Sequence, residues 1–374
     1  MNNTIIIRNS EIGMDARLKR AANLLIKNGN EVMALGWLRT KADLLKKKND
    51  NTGFHIDYFF QEAPFGRGMK NAWQIVKFNF WIFSKLRRYE SKFDIIHACD
   101  LDTVIVSFLA ARIYRKKIVF DIVDNYGHTH SMPRILKKIV NRIEKRMISL
   151  VDGVIVCNDE RYMETLCSRP KNCLVLHNSP DFEESLIAQR FLKKPTDKFK
   201  IAYIGTLVNE GRLLREIVEA SKSHSEIELH VAGIGPLGEF VRMIQDSSTN
   251  VFFYGQLANE DALRLQNECD LLFATYDPKI RINKLSAPLK LYEAMALKKP
   301  IIVCRGTTAD KIVEKNNMGK VIGYDAIQFW EIASELSSNR NYCEMMGKNG
   351  NEAYKKVYSW ELMKSKLMSF YNEI

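Results

Sequence analysis

Short runs of β-branched and apolar residues alternate along this chain with longer stretches in which apolar positions recur every three or four residues. The first pattern fits buried strands and the second fits helices laid over a sheet, so the chain is expected to build α/β layers with parallel strands. Strands are expected in the first half at TIIIRNS, EVMALGW, HIDYFF, DIIHACD, KIVFDIV, GVIVCN and CLVLHN. In the second half they are expected at FKIAYIG, IELHVAG, NVFFYG, DLLFATY, PIIVCR and KVIGY. The polar stretch PDFEESLIAQRFLKKPTDK, carrying Pro180 and Pro195, reads as the linker between two doubly wound halves. That organisation gives domains over 1–185 and 196–357, and a cleft between the carboxyl ends of their strands, where loops carry the chemistry.

Composition changes this picture little. A chain of 374 residues suits two cores, and 46% hydrophobic with 27% charged residues is the balance of a soluble globular protein. Its seven cysteines make no C-x-x-C pair, which argues against a zinc site or a disulfide framework and for a reducing compartment. The chain enters a strand almost at once, with no basic and apolar leader, and no uncharged run is long enough to span a bilayer, so neither export nor a membrane span is expected. Charge adds more. Residues 1–195 hold 33 Lys and Arg against 21 Asp and Glu, and the remainder holds 23 of each, so the whole +12 excess lies in the first half. An anionic partner met by that half is implied, and a phosphodiester polymer, an anionic lipid surface or a diphosphate qualifies.

Candidate chemistry sits at strand ends. Gly233-Ile234-Gly235-Pro236-Leu237-Gly238 matches G-x-G-x-x-G, but the next strand ends Tyr254-Gly255-Gln256 without the acid that a dinucleotide ribose requires. What remains is mechanical: small residues let a backbone approach a ligand at a helix start. Gly205 and Thr206, followed by Arg212 and Arg215, offer a second helix start to an anion. SAPLKLYEAMALKKPIIV reads as a short amphipathic helix opened by Ser286 as cap and Pro288 in its first turn. Lys290 and Glu293 then share one face. They are either a solvated ion pair or ligand groups, the carboxylate accepting from a ribose diol and the ammonium meeting a diphosphate.

DLLFATYD followed by PLKLYEAMALKKPIIV resembles the donor-site segment of GT-B glycosyltransferases, in particular retaining family 4, the glycosyl transferases group 1. RNSEIGMDARLKRAANLLIKNGNEVMALGW is similar to that family's opening strand, loop and helix, with Gly13 and Arg17 in its acceptor-side loop, and YSWELMKSKLMSFY to the helix, here 358–374, that crosses back to the N-terminal domain. The resemblance implies a GT-B fold of two Rossmann-like domains. It also implies a nucleoside diphosphate sugar donor held by Lys290, Leu291 and Glu293, no cofactor, and transfer with retention in which the departing diphosphate helps deprotonate the acceptor. Two departures stand out. Leu285 occupies the position of the family's first glutamate, and Thr206 after Gly205 breaks its diphosphate-binding Gly-Arg, so Arg212 and Lys290 are assigned that contact.

In the first half, DIVDNYGHTH ends a strand, and Asp124 and His128 are the candidates to orient the acceptor hydroxyl or take its proton. Asp100-Leu101-Asp102 reads as a turn and helix cap, and no metal is expected. RGMKNAWQIVKFNFWIFSKLRRYESK and PRILKKIVNRIEKRMISLV interleave basic with apolar side chains, as helices on anionic membranes do and as core-facing helices with a solvated back also do. No motif for reading nucleic acid is present. The expected protein is a cytoplasmic, membrane-peripheral hexosyltransferase acting on a lipid-linked or polysaccharide acceptor in cell-surface glycan synthesis. A sugar-nucleotide epimerase of the same architecture and a non-catalytic basic binding protein are the alternatives.

Overall fold

The computed structural model describes the chain except residues 1, 14, 42, 44–52, 64–70, 124, 125, 130, 131, 182, 183 and 193–195, and the side chains of 128, 129 and 186. It divides into two compact units, residues 1–177 with 363–374, and residues 178–362.

Each unit is built on one parallel sheet. The first contains β1 (Thr4–Ile7), β2 (Val32–Leu38), β3 (His55–Phe60), β4 (Ile95–Cys99), β5 (Lys117–Ile122), β6 (Gly153–Val156) and β7 (Cys173–Val175), in the order β3-β2-β1-β4-β5-β6-β7. The second contains β8 (Phe199–Ile204), β9 (Ile227–Ala232), β10 (Val251–Phe253), β11 (Leu271–Ala274), β12 (Ile301–Cys304) and β13 (Gly319–Ile322), in the order β10-β9-β8-β11-β12-β13. Every expected strand is present and parallel. Helices cover both faces, so central strands such as β1 and β12 are buried along their whole length and read as unbroken apolar runs. In both sheets the winding direction reverses at one point, between β1 and β4 and between β8 and β11. Ligands of open parallel sheets sit beyond the carboxyl ends of the strands at such reversals.

Two local expectations are corrected. The stretch read as a polar linker is packed onto the second unit: Glu268 accepts from the Leu192 amide at 3.2 Å and also from that of Phe191, Asn267 donates to the Ile187 carbonyl at 3.1 Å, and Phe191 meets Tyr254 edge-on. Asp100 stands at the cap position of helix Leu101–Tyr114 but does not cap it. Its φ is 62°, and its carboxylate accepts from the Val123 amide at 3.2 Å, so it ties the loop after β5 to the end of β4.

The final helix, Trp360–Glu373, delivers residues 363–374 to the first unit. There the Tyr371 hydroxyl meets His97 Nδ1 at 2.5 Å, and Phe370 closes on Gly153, where an added Cβ would lie 2.5 Å from its ring.

Candidate donor site

Helix Leu289–Ala296 lies in the second unit with Lys290, Leu291, Tyr292, Glu293, Ala294 and Met295 all buried. This overturns its reading as amphipathic: Leu291, Tyr292 and Met295 enter the core against β11 and β12, and the charged pair is enclosed too. Its start also differs from expectation. Pro288 itself occupies the cap position, with no side-chain cap, and the Ser286 hydroxyl turns back to donate to the Asn283 carbonyl at 3.0 Å.

Lys290 and Glu293 do not pair with each other. The Lys290 ammonium lies 4.2 Å from the centre of the Tyr203 ring and 5.8 Å from that of Tyr276, and it reaches the Gly205 backbone so closely that a Cβ there would be 2.8 Å from Nζ. Among the described residues it has neither a hydrogen-bond acceptor nor an ion-pair partner. Burial opposes its charge, and Tyr203, Tyr276 and Glu293 outweigh that effect, so its pKa stands above the ordinary lysine value and the ammonium persists at neutral pH. Glu293 points elsewhere, its Oε2 accepting from buried Gln266 at 3.1 Å.

Arg212 joins the same cluster. Its guanidinium stacks on the other ring that Lys290 addresses, 3.8 Å from the Tyr276 centroid, and it is fixed by bonds to Asn283 Oδ1 at 2.6 Å and the Gly211 carbonyl at 3.0 Å. Thus Gly205, Arg212 and Lys290, scattered over 86 positions of sequence, meet at the reversal point between β8 and β11. Two cations, one without a partner among the described residues, converge there beside an exposed Thr206 whose carbonyl is held by the Tyr203 hydroxyl at 3.0 Å. Such a site suits a compact, multiply charged anion such as a diphosphate.

The glycine-rich loop, expected to let a backbone approach a ligand, also makes a close approach to a neighbouring loop. A Cβ on Gly233 would lie 1.8 Å from the Gly205 carbonyl oxygen, and one on Gly235 would lie 2.3 Å from that of Leu207. With φ of 147° and 152°, these residues let the loop after β9 pack against the loop after β8, sealed by Leu207 N to Ile234 O and Leu237 N to Leu207 O, both at 3.0 Å.

In the first unit, Asp124 lies outside the described residues, as does the His128 side chain, whose backbone belongs to the short helix Tyr126–Thr129. The amide of Gly13 donates to the Tyr58 hydroxyl at 3.3 Å. Arg17 is an internal strut: it holds Asp121 through Nε at 3.3 Å and Nη2 at 2.9 Å, and the Leu176 carbonyl through Nη1 at 2.9 Å. His97, Cys99 and Asp121 offer ligand atoms within 4.8 Å of one another, but the guanidinium already neutralises the carboxylate, so a metal cation would be repelled there.

Tyr203, Tyr276, Gln266 and Asn283 escaped the sequence reading. Tyr276 stood in the quoted DLLFATYD, and an aromatic residue just past the strand that borders the winding reversal was its available signal.

The model of glycosyl transferases group 1 matches residues 186–353, and that of glycosyltransferase family 4 matches residues 13–183. No curated protein matches the chain. Among solved structures, sucrose-phosphate synthase from Thermosynechococcus elongatus is similar at a TM-score of 0.77 with 15% identity, covering 100% of this chain and 99% of its own. HepE from Anabaena in complex with UDP gives a TM-score of 0.71 with 14% identity, covering 100% of both chains. A glycosyltransferase from Rickettsia africae gives 0.67 with 14% identity, covering 100% of this chain and 98% of its own. With a family model on each half and two doubly wound sheets beneath them, the chain is a GT-B-fold glycosyltransferase, related to glycosyl transferases group 1 and glycosyltransferase family 4, that uses a nucleoside diphosphate sugar.

Proposed function

We propose that this chain is a hexosyltransferase that transfers a sugar with retention to a hydroxyl of a lipid-linked or polysaccharide acceptor, working peripherally at the cytoplasmic membrane face in cell-surface glycan synthesis. The observation that carries the donor assignment is the Lys290 ammonium, buried at Gly205 without an acceptor among the described residues and accompanied by Arg212. In this reading the two cations take the diphosphate and Glu293 takes the ribose hydroxyls, with Gln266 fixing the carboxylate. As the bond from the sugar C1 to the diphosphate oxygen breaks, the acceptor oxygen bonds to C1 on the same face and its proton passes to the departing phosphate. Negative charge accumulates on that phosphate, and fixed cations stabilise it most there. Asp124 and His128 are assigned to orient the acceptor hydroxyl. HepE bound to UDP and to UDP-glucose makes uridine the first nucleoside to test.

Glu293→Ala is expected to weaken UDP binding by about 1 to 3 kcal/mol, the range for losing a charged hydrogen-bond partner. Titration calorimetry measures it, and unchanged affinity would remove Glu293 from the ribose. A second expectation concerns metals. Because Lys290 and Arg212 supply positive charge at the leaving group, turnover should survive exhaustive EDTA treatment. Loss of activity that returns with manganese or magnesium would sink this arrangement. Product analysis separates transfer from epimerisation, since only transfer requires an acceptor.

A further inference from the structure

Three neighbouring helices of the first unit leave large apolar side chains in solvent in a regular pattern. Helix Ala72–Arg88 exposes Val76 and Phe80, helix Leu101–Tyr114 exposes Ile105 and Leu109, and helix Arg134–Leu150 exposes Ile139 and Ile143. Each pair is four residues apart and so shares one face of its helix. Phe80 is 74% and Leu109 54% exposed, in a family of contacts that ordinary monomers bury or give to a ligand.

Between the helices runs a groove of about 530 Å³ with an almost wholly apolar wall. Its polar residues are grouped: Asn79 donates to the Asp102 carbonyl at 2.9 Å, and Asp102 and Tyr126 line the same groove. Asp102 follows β4 within three residues and Tyr126 follows β5 within four, so this polar end lies at the carboxyl edge of the first sheet. The other flank is cationic. Arg134, Lys138 and Arg142 are exposed one position ahead of Ile135, Ile139 and Ile143, forming a basic stripe next to the apolar one, while the only acid of that helix, Glu144, is buried.

We infer that this groove holds the hydrocarbon chain of the acceptor, an isoprenoid or acyl chain carrying an anionic head. The basic stripe meets the head charge, and the polar end brings the hydroxyl-bearing part to the strand edge. This rests on the lipid-linked reading of the acceptor and assigns it a location. A groove of this volume and apolar lining accommodates one flexible hydrocarbon chain. Apolar burial of this kind raises affinity about fourfold for each methylene taken up.

The test is calorimetric titration of the full chain, without donor, by geranyl, farnesyl and geranylgeranyl monophosphate below their micelle concentrations. Affinity is expected to rise steeply with each isoprene unit. The combined Ile105→Glu and Leu109→Glu variant should lose at least tenfold in affinity for the longest chain. Val76→Trp, which fills the groove without adding charge, should show the same loss, and both variants should unfold at the native temperature. Equal affinity for all three ligands and for inorganic phosphate overturns the inference. So does binding only to phosphatidylglycerol vesicles and not to monomeric chains, which would mark a bilayer-insertion face. Self-association abolished by the same substitutions overturns it as well, since a second copy would then cover the groove. Because the titration involves neither donor nor turnover, its outcome is separate from that of the transfer reaction.

Discussion

Asp121→Ala is expected to destabilise the first unit by about 3 to 5 kcal/mol, the cost of leaving a buried guanidinium without its carboxylate. Arg17 is 9% and Asp121 1% exposed, and the pair joins helix Ala16–Lys27 to β5 and, through the Leu176 carbonyl, to the end of β7. His97 Nε2 approaches the same carboxylate at 3.4 Å and passes the network on to Tyr371. A loss of that size lowers the first unfolding transition on the order of ten degrees by calorimetry. Replacing both partners, Arg17→Met with Asp121→Leu, should recover most of it, because no lone charge is then left inside. The pH dependence follows in sign. Burial works against ionisation of Asp121, but Arg17 and His97 outweigh it and hold its pKa well below the usual carboxylate range. A depressed folded-state pKa gives stabilisation that is complete above the unfolded value of about 4 and drains away as pH falls below it. Asp121→Ala should therefore show a flatter acid limb than the native protein. A variant as stable as the native chain, with an unchanged acid limb, would refute this account.

Lys290→Met should weaken UDP binding by about 2 kcal/mol, on the order of thirtyfold, and leave uridine affinity unchanged. Methionine keeps most of the stem volume beside Tyr203, so the comparison isolates the ammonium. Arg212→Ala should follow the same split with a smaller loss, since Arg212 is only half-buried and shares its guanidinium with Asn283 and Tyr276. Equal weakening of UDP and uridine would move the cations away from the diphosphate and onto the nucleoside.

Some of this was legible in the sequence and some was not, for identifiable reasons. Strands buried on both faces must be continuous apolar runs, so TIII, GVIV and IIVC could be placed by eye, and even IELHVA could, because Glu228 and His230 satisfy each other inside the strand at 3.4 Å. The helix of Lys290 could not be oriented. Its Lys, Tyr and Glu look like a solvated face until the loops after β8 and β11 close over them, and that closure depends on Gly205 and Tyr276, 85 and 14 positions before Lys290. Gly233 and Gly235 were visible as special, but a glycine that admits a ligand and one that admits a neighbouring carbonyl look identical in one dimension. Arg17 carried a charge and a loop-proximal position; only the fold reveals that Asp121, 104 residues later, claims it. The interleaved basic and apolar residues of Arg134–Leu150 are plain in the sequence, but the groove they border needs two further helices to exist.

The last helix has a consequence for biosynthesis. Residues 1–177 leave the ribosome first, yet the unit they form is finished only by residues 363–374. At bacterial-to-eukaryotic elongation rates of roughly 5 to 20 residues per second, translating the 185 residues in between takes on the order of ten to forty seconds. Throughout that interval the seat of Phe370 over Gly153 and of Tyr371 on His97 is vacant, and the nascent sheet presents an apolar face that its own chain cannot yet cover. A ribosome stalled before residue 363 of this sequence would hold a first unit without its closing segment, which makes that stretch of elongation the window for chaperone capture and for aggregation of truncated products.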